Sequence, residues 1–257
     1  MKKQVYHLNL NKRLIRKSEI ALLPGDPFRV VKIAEKIRKH CGGEIVELAW
    51  KREFKTALCS YDRKSVLVTS TGIGGPSTSI VIEELAMLGI RTFIRVGTTG
   101  AIQKEIKPGD VIITTGSVRL DGASTHYAPI EYPAVAHHEI VDYLIKAATK
   151  VNVRYHVGIT ASSDTFYPGQ ERYDSFTRYV PRHLQGSLKE WQKLHVLNYE
   201  MESSTVLTLC SAMGLRGGCV SGVIDNPILK EDITESNLEA GEENAIKVAV
   251  ASLEYLL

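Results

Sequence analysis

Short apolar runs alternate with stretches of helical periodicity along the whole chain. Residues 20–23 read Ile-Ala-Leu-Leu and stop at Pro24-Gly25, which predicts a buried strand followed by a turn. Asp26 and Pro27 then match a helix N-cap and a first helical position. Further strands are predicted at 44–50, 53–59, 65–70, 92–96, 110–114, 155–163, 198–200 and 216–224, and helices at 27–37, 76–88, 136–150, 187–194, 203–213 (amphipathic) and 239–257.

This alternation is typical of an α/β protein with helices on both faces of its sheet. No internal repeat, low-complexity segment or linker interrupts it, so residues 1–257 are expected to form a single domain. In such sheets the ligand binds outside the carboxyl ends of the strands. Polar clusters fall at those ends, at 25–29, 71–77, 95–100, 162–172 and 225–226. Their convergence predicts one active site along that edge.

Composition argues against several other classes of protein. The net charge of +3 comes without clustered basic runs, so we expect no nucleic-acid partner. No stretch approaches the ~18 apolar residues of a membrane span, and no apolar core of a secretory signal follows the basic N-terminus. The four cysteines have no zinc spacing and are expected to be free thiols. A cytoplasmic protein without membrane association is therefore expected.

Two of the clusters predict a metal-free cradle for an oxyanion. Gly25 and Arg29 belong to a strand-to-helix turn, where free N–H groups and the helix dipole attract anions. Arg95 lies in a buried strand, and Thr98 follows it between two flexible glycines. The alternatives are an ordinary N-cap with a surface arginine, and an internal salt bridge between Arg95 and a carboxylate.

The segment from Asp164 to Asp174 carries the most informative chemistry. Gln170 and Arg172 lie two residues apart, with Phe166 before them. An amide offers a donor and an acceptor, whereas a guanidinium offers only donors. A flat ring with carbonyl oxygens and one N–H, such as uracil, complements that set.

Glu200, Met201 and Glu202 follow the next short strand. Carboxylates that accept from vicinal hydroxyls can hold a ribose, and methionine packs under a sugar. The alternative is helix capping by these carboxylates. His7 lies near the N-terminus and is a further candidate for the site. The alternative is that His7 is a solvated surface residue without a role in the site.

These motifs, in this order and over almost the whole chain, resemble the uridine phosphorylases of the hexameric nucleoside phosphorylase family. The matching runs are Leu23 to Arg29, Ser70 to Ser77, Arg95 to Gly100, Ser163 to Tyr173 and Asn198 to Ser203. The resemblance implies a three-layer α/β sandwich with a central mixed, partly barrel-like sheet. It also implies reversible phosphorolysis of uridine to uracil and ribose 1-phosphate, in a homohexamer built as a trimer of dimers. Inorganic phosphate would be the co-substrate, and no cofactor would be required.

The resemblance also implies a role for each matching residue. Gly25, Arg29, Arg95 and Thr98 would bind phosphate, joined by Arg52 from a neighbouring subunit. Met201, Glu202 and Thr98 would hold the ribose, with His7 of the neighbour closing over it. Phe166, Gln170, Arg172 and Gly100 would contact the base, and Arg172, Gln170, Glu202 and Arg95 would be catalytic. Some members bind a monovalent cation such as K⁺ between subunits, and the matching positions are Glu53, Ile73 and Ser77.

One departure from the family pattern leaves the base specificity open. Asp225-Asn226-Pro227 stands where the pattern usually ends in Asn-Arg. Asp225 is either a loop acid before a proline turn or a residue that broadens or shifts base choice, as an aspartate does in purine-specific relatives. The alternatives are a phosphorylase of broader or purine specificity, a phosphate-independent nucleosidase, and a protein that binds nucleosides without turnover.

Overall fold

The structure is a computed structural model that describes residues 4–229 and 233–257. The strands in these residues are β1 (Ile20–Leu23), β2 (Ile45–Lys51), β3 (Phe54–Tyr61), β4 (Lys64–Thr69), β5 (Thr92–Ala101), β6 (Val111–Leu120), β7 (Ala134–Val135), β8 (Tyr155–Ser163), β9 (Asn198–Glu200) and β10 (Arg216–Asp225). The helices are α1 (Pro27–Cys41), α2 (Gly75–Leu88), α3 (His138–Lys150), α4 (Ser187–Lys193), α5 (Ser203–Ala212) and α6 (Glu235–Leu256). Each predicted strand and helix is confirmed with shifted ends, and the two-residue β7 was not predicted.

Five of the strands close into a barrel. The closed order is β5, β10, β6, β8 and β9, and β9 pairs again with β5. From β5 the same sheet continues through β1, β4 and β3 to β2. Around the barrel β10 pairs in parallel with β5, and β8 with both β6 and β9, whereas the β10–β6 and β5–β9 pairs are antiparallel. The expected mixed, partly barrel-like sheet is therefore confirmed.

Helices cover both faces of this sheet. One buried apolar cluster joins Ile33 of α1, Leu144 of α3 and Val248 of α6. A second cluster joins Ile82 of α2 and Leu207 of α5. Because the two clusters lie on opposite faces, the molecule has the three layers that the family resemblance implied. That the whole chain is a single domain stays a prediction.

The start of α1 shows how local sequence positions the site. The Asp26 carboxylate accepts from the backbone N–H of Phe28 at 2.8 Å, and Pro27 opens the helix. The helix ends at Gly42, whose φ of 73° suits glycine. The predicted cap is confirmed, and it orients the first turn of α1, including Arg29, toward the carboxyl end of β1.

Three elements differ from their sequence predictions. Helix α5 is not amphipathic: residues 203–210 are all buried, because it packs between α2 and the barrel strands β6 and β10. Strand β5 continues past Gly97, because the following residues pair with β10. Helix α6 begins at Glu235, since the Thr234 hydroxyl accepts from the N–H of Asn237 and caps it.

No helix in the described parts of the chain is both long and apolar enough to cross a bilayer.

Candidate active site

A cavity of about 640 Å³ opens where β1, β5 and β10 end. Of the residues that the sequence nominated, those lining it are Gly25, Arg29, Glu53, Ile73, Ser77, Arg95, Thr98, Gly100, Phe166, Gln170, Arg172, Met201 and Glu202. The fold thus brings residues from six separate segments to one place. Two nominated residues, His7 and Arg52, do not line it.

Arg29 lies at one end of the cavity, in the first turn of α1. It is buried, and its Nε donates to Glu242 Oε1 of α6 at 2.9 Å, so its guanidinium is fixed by a neighbouring helix of the same layer. Gly25 is beside it, and a Cβ there would lie 3.3 Å from the carbonyl oxygen of Gly72. The two turns are therefore in close contact, and the surface-arginine alternative for Arg29 is wrong.

Arg95 occupies the floor of the same end. It is 4% exposed, its Nε donates to Glu200 Oε2 at 2.7 Å, and its Nη2 lies 2.5 Å from Glu202 Oε2. Burial alone would lower the pKa of this guanidinium. The nearby Glu202 and Glu200 carboxylates outweigh burial, so the pKa of Arg95 is raised above its ordinary value. The side chain folds across Gly97, where a Cβ would lie 2.8 Å from Nη2. The salt bridge between Arg95 and a carboxylate, which the sequence offered as the alternative, is therefore present. Arg95 also lines the cavity, so the salt bridge does not exclude contact with an anion there.

The two carboxylates that flank Met201 have different roles. Glu200 accepts from the backbone N–H groups of Glu202 and Ser203, each at 2.9 Å, and so caps α5. Glu202 instead accepts from the Gly74 N–H at 2.6 Å, and both carboxylates line the cavity. Burial raises the pKa of Glu202, although Arg95 acts in the opposite direction. The capping interpretation therefore fits Glu200, whereas Glu202 lines the cavity without capping α5.

The charged side chains at this end do not, by themselves, favour the binding of an anion. Three cations, Arg29, Arg95 and the more exposed Lys32, pair with three carboxylates, Glu200, Glu202 and Glu242. A dianion would have to share these cations with buried carboxylates that are already their partners. A further cation would therefore strengthen phosphate binding.

The opposite end is formed by the segment that follows β8. Gln170 is buried in a 3-10 turn, and Arg172 follows it. The Arg172 guanidinium carbon lies 4.2 Å from the ring centroid of Phe166, and its Nε donates to Gln170 Oε1 at a long 3.4 Å. The amide, the guanidinium and the aromatic ring that the sequence singled out thus meet in one wall of the cavity.

Asp225 joins this wall, and the loop-acid interpretation of it is wrong. It is the last residue of β10, it is 4% exposed, and its Oδ2 accepts from Arg172 Nη2 at 2.9 Å. The pairing of β10 with β5 shifts by one residue between Val223 and Asp225. The shift allows neighbouring residues, Ile224 and Asp225, both to line the cavity. A charged residue at the carboxyl end of a barrel strand was the sequence signal for it.

His7 and Arg52 lie outside the cavity of their own chain. The His7 Nδ1 lies 2.7 Å from Glu84 Oε1, and the same carboxylate accepts from the backbone N–H groups of His7 and Leu8. Arg52 is exposed in the turn between β2 and β3, with a φ of 57°. Neither side chain lines the cavity of its own chain, and their predicted action from a neighbouring subunit stays a prediction.

Glu53, Ile73 and Ser77 meet at the mouth of the cavity. The Ser77 hydroxyl donates to Glu53 Oε1 at 3.2 Å, and Ile73 is exposed. A search of residues 4–229 and 233–257 finds no group of three or more histidine, cysteine or acidic side chains that would bind a metal ion. A carboxylate, a hydroxyl and a backbone carbonyl nevertheless offer oxygen ligands of the kind that hard cations prefer.

Comparisons with known proteins agree with this geometry. Residues 19–256 match the phosphorylase superfamily. Uridine phosphorylase of Escherichia coli (strain K12) is 53% identical over 256 residues, which cover 100% of this chain and 99% of that protein. Uridine phosphorylase of Haemophilus influenzae is 51% identical over 98% of both chains. Guanosine phosphorylase of Halorubrum lacusprofundi is 37% identical over 81% of this chain and 78% of its own length. The chain belongs to the phosphorylase superfamily.

Proposed function

We propose that this chain catalyses the reversible phosphorolysis of uridine to uracil and ribose 1-phosphate. One observation carries the proposal: a single cavity holds two arginines at one end and an amide–guanidinium pair over an aromatic ring at the other. Met201 and Glu202 lie in the same cavity wall. This order matches the phosphate, sugar and base of the reacting pair. The uridine phosphorylases that share about half of its sequence support the assignment.

The chemistry follows from where the charges lie. Cleavage of the bond between C1′ and the base nitrogen leaves positive charge on the sugar and negative charge on the base. Phosphate held near Arg29 and Arg95 stabilises the cation and then bonds to C1′, while the base leaves with the electron pair. Donors from Gln170 and Arg172 stabilise the departing anion, an electrostatic effect of ~10²–10³ in rate for one donor. Because phosphate is already an anion, no general base is needed to generate the nucleophile.

We further propose that each site is completed by a second chain in a homohexamer, a trimer of dimers. The absence of a net positive charge among the ion pairs of Arg29, Arg95 and Lys32 supports this, because Arg52 of a neighbour would supply a further cation for the phosphate. His7 would reach the ribose in the same way. Its Nδ1 faces Glu84, so its Nε2 is left to accept from a sugar hydroxyl.

Mixing two inactive variants tests the shared site. Arg52→Ala and Arg172→Ala chains are prepared separately, dissociated and reassembled together. If Arg52 acts across the interface, random assemblies of equal amounts of the two variants regain about a quarter of the activity, since about one site in four receives both arginines. No recovery in mixed hexamers confirmed by mass would contradict a shared site.

The oxygen ligands at Glu53, Ile73 and Ser77 would hold a monovalent cation, K⁺, between subunits. The carboxylate would supply the charge, and the bound ion would fix the turn beside the phosphate end. Replacing potassium by choline in the assay buffer should lower activity and hexamer stability together. Unchanged values in both would contradict a bound cation. Phosphate remains the co-substrate, and no organic cofactor enters the proposal.

A phosphorylase of broader base specificity is the second candidate. Asp225 places a carboxylate beside Arg172, and a 37% identical relative is named a guanosine phosphorylase. The two candidates differ in the base that they release fastest. We place the reaction in pyrimidine nucleoside salvage in the cytoplasm, which fractionation and growth on uridine would test.

A phosphate-dependence assay tests the function directly. Purified protein is incubated with uridine, thymidine, cytidine, inosine or guanosine, with and without phosphate, and the free base is quantified. The proposal predicts uracil and ribose 1-phosphate from uridine only when phosphate is present. Equal or faster turnover of inosine or guanosine would replace it by the second candidate. Base release without phosphate would identify a nucleosidase, and binding without turnover would identify a sensing protein.

A further inference from the structure

The ion pair between Asp225 and Arg172 has a built environment of its own. Asp225 lies at the end of β10 and is 4% exposed, whereas Arg172 comes from the segment after β8. The carboxylate Oδ2 accepts from Nη2 at 2.9 Å, and the guanidinium lies over the ring of Phe166. A strand of the barrel therefore holds a side chain that belongs to a loop.

Gly100 of β5 makes room for the pair. A Cβ at this position would lie 2.6 Å from Asp225 Oδ1 and 3.4 Å from Arg172 Nη2. Any side chain at position 100 would have to displace the carboxylate. The glycine and the aspartate face each other across the β5–β10 pairing, where Asp225 is in register with Gly100.

Arg172 has few other constraints. Its contact with Gln170 is long, at 3.4 Å, and its side chain is 19% exposed. A long side chain loses rotamer freedom when it is held, so an unfixed arginine stabilises a leaving group poorly. A carboxylate that accepts from one nitrogen fixes the guanidinium plane and leaves its other N–H groups to the cavity.

We propose that Asp225 is the positioning residue that aligns Arg172 with the carbonyl oxygen of the leaving base. The inference rests on the proposed phosphorolysis. Asp225 acts through Arg172 and need not touch the substrate. Because the pair is neutral overall, the empty cavity carries no unpaired guanidinium there, and Arg172 is already oriented when negative charge develops on the base.

Two substitutions at Asp225 separate positioning from charge. Asp225→Val removes the acceptor at similar volume, so kcat for uridine should fall about 10- to 100-fold, the range expected for a misplaced catalytic group. Asp225→Asn keeps an acceptor for Arg172 and should recover most of that loss. The KM for phosphate should change less than about twofold in both variants, because the phosphate end has separate partners.

A change of leaving group gives a second measurement. Its result would stay the same if Asp225 had only a structural role. Fluorine at position 5 makes the uracil anion more stable, so 5-fluorouridine depends less on Arg172. The loss caused by Asp225→Val should therefore be at least about threefold smaller with 5-fluorouridine than with uridine. Equal losses with both nucleosides would overturn the proposal.

Gly100→Ala completes the test as a double-mutant cycle. Alone it should displace Asp225 and lower kcat about 10-fold, and in the Asp225→Val background it should add less than about twofold. Additive losses, or an Asp225→Val enzyme that keeps wild-type kcat while folded, would overturn the inference. If the unsubstituted protein releases no uracil in the presence of phosphate, the proposed function fails first. Phosphate-dependent release that is insensitive to Asp225→Val defeats this inference alone.

Discussion

The two ends of the cavity are held in place by different means. At the phosphate end, Arg29 and Arg95 are 7% and 4% exposed and pair with carboxylates from α6 and from the β9–α5 junction. At the base end, the Arg172 side chain is 19% exposed and relies on one carboxylate and one ring. The first end is part of the folded core, whereas the second is a loop attached to the core at Asp225.

This difference separates stability from specificity. A change at the phosphate end leaves a buried charge without its partner, so folding and activity should decline together. A change at the base end removes a partly exposed side chain, so activity can change while the fold persists. Base choice can therefore vary within such a scaffold more freely than phosphate binding, which fits the different bases named for its relatives.

The largest expected effect comes from replacing one arginine at each end. Arg95→Met leaves Glu200 and Glu202 buried and unpaired, so we expect a loss of about 3–5 kcal/mol in the free energy of unfolding and at least about 10³-fold in kcat/KM. Arg172→Met should lower kcat/KM by about 10²–10³-fold with a smaller loss of about 1–3 kcal/mol in the free energy of unfolding, because it leaves one buried carboxylate, Asp225, without its partner instead of two. Urea denaturation and steady-state kinetics measure both quantities.

Arg13→Met provides the matched control, because Arg13 is exposed and does not line the cavity. It should leave both quantities unchanged within error. An Arg95→Met protein as stable as the wild type would contradict the distinction between the two ends.

Sequence predicted the local parts of this arrangement well. Asp26 before Pro27 is an N-cap in both sequence and structure, because the signal lies within three residues. The strand-helix alternation also predicted which edge of the sheet carries the site. The arginines and the amide could be nominated because few other side chains provide several donors.

The pairings between residues far apart in the chain could not be predicted. Glu242 meets Arg29 although 213 residues separate them, and no local pattern marks it. The side of the sheet that Asp225 faces depends on the register shift after Val223, which arises from tertiary pairing with β5. At such a bulge, the sequence of one strand does not reveal which face of the sheet the following side chains occupy, because that depends on the partner strand. Helix α5 appeared amphipathic in the sequence but is buried. Its burial depends on the surrounding strands and on α2, which its own sequence does not reveal.

Glu202 gives an intermediate effect that sharpens the comparison. Its folded pKa is raised above the ordinary 4.5, because burial disfavours the charged form. Its stabilising contribution is therefore complete below the unfolded pKa and is lost as the pH rises through the folded pKa. Glu202→Gln does not titrate, so the unfolding free energy of the variant should rise relative to that of the wild type as the pH goes from 4.5 upward. Denaturation curves at several pH values measure this slope.

Glu131→Gln serves as the matched control, because Glu131 is exposed and does not line the cavity. Its unfolding free energy at neutral pH and its kcat/KM for uridine should equal those of the wild type within error. Catalysis by Glu202→Gln should fall about 10- to 100-fold if the carboxylate accepts from the ribose hydroxyls. A stability difference that moves in the opposite direction with pH would contradict the raised pKa.

Phe166→Leu should give the smallest effect and tests whether the two ends are independent. The substitution removes the ring that lies 4.2 Å from the Arg172 guanidinium, a contact of about 0.5–1 kcal/mol at a partly exposed site. We expect the KM for uridine to rise about 2- to 5-fold, with the KM for phosphate and the unfolding free energy nearly unchanged. Phe166→Tyr keeps the ring and should stay close to the wild type. A parallel rise in the KM for phosphate would mean that the loop also supports the arginines at the far end, and base choice would then be tied to the core after all.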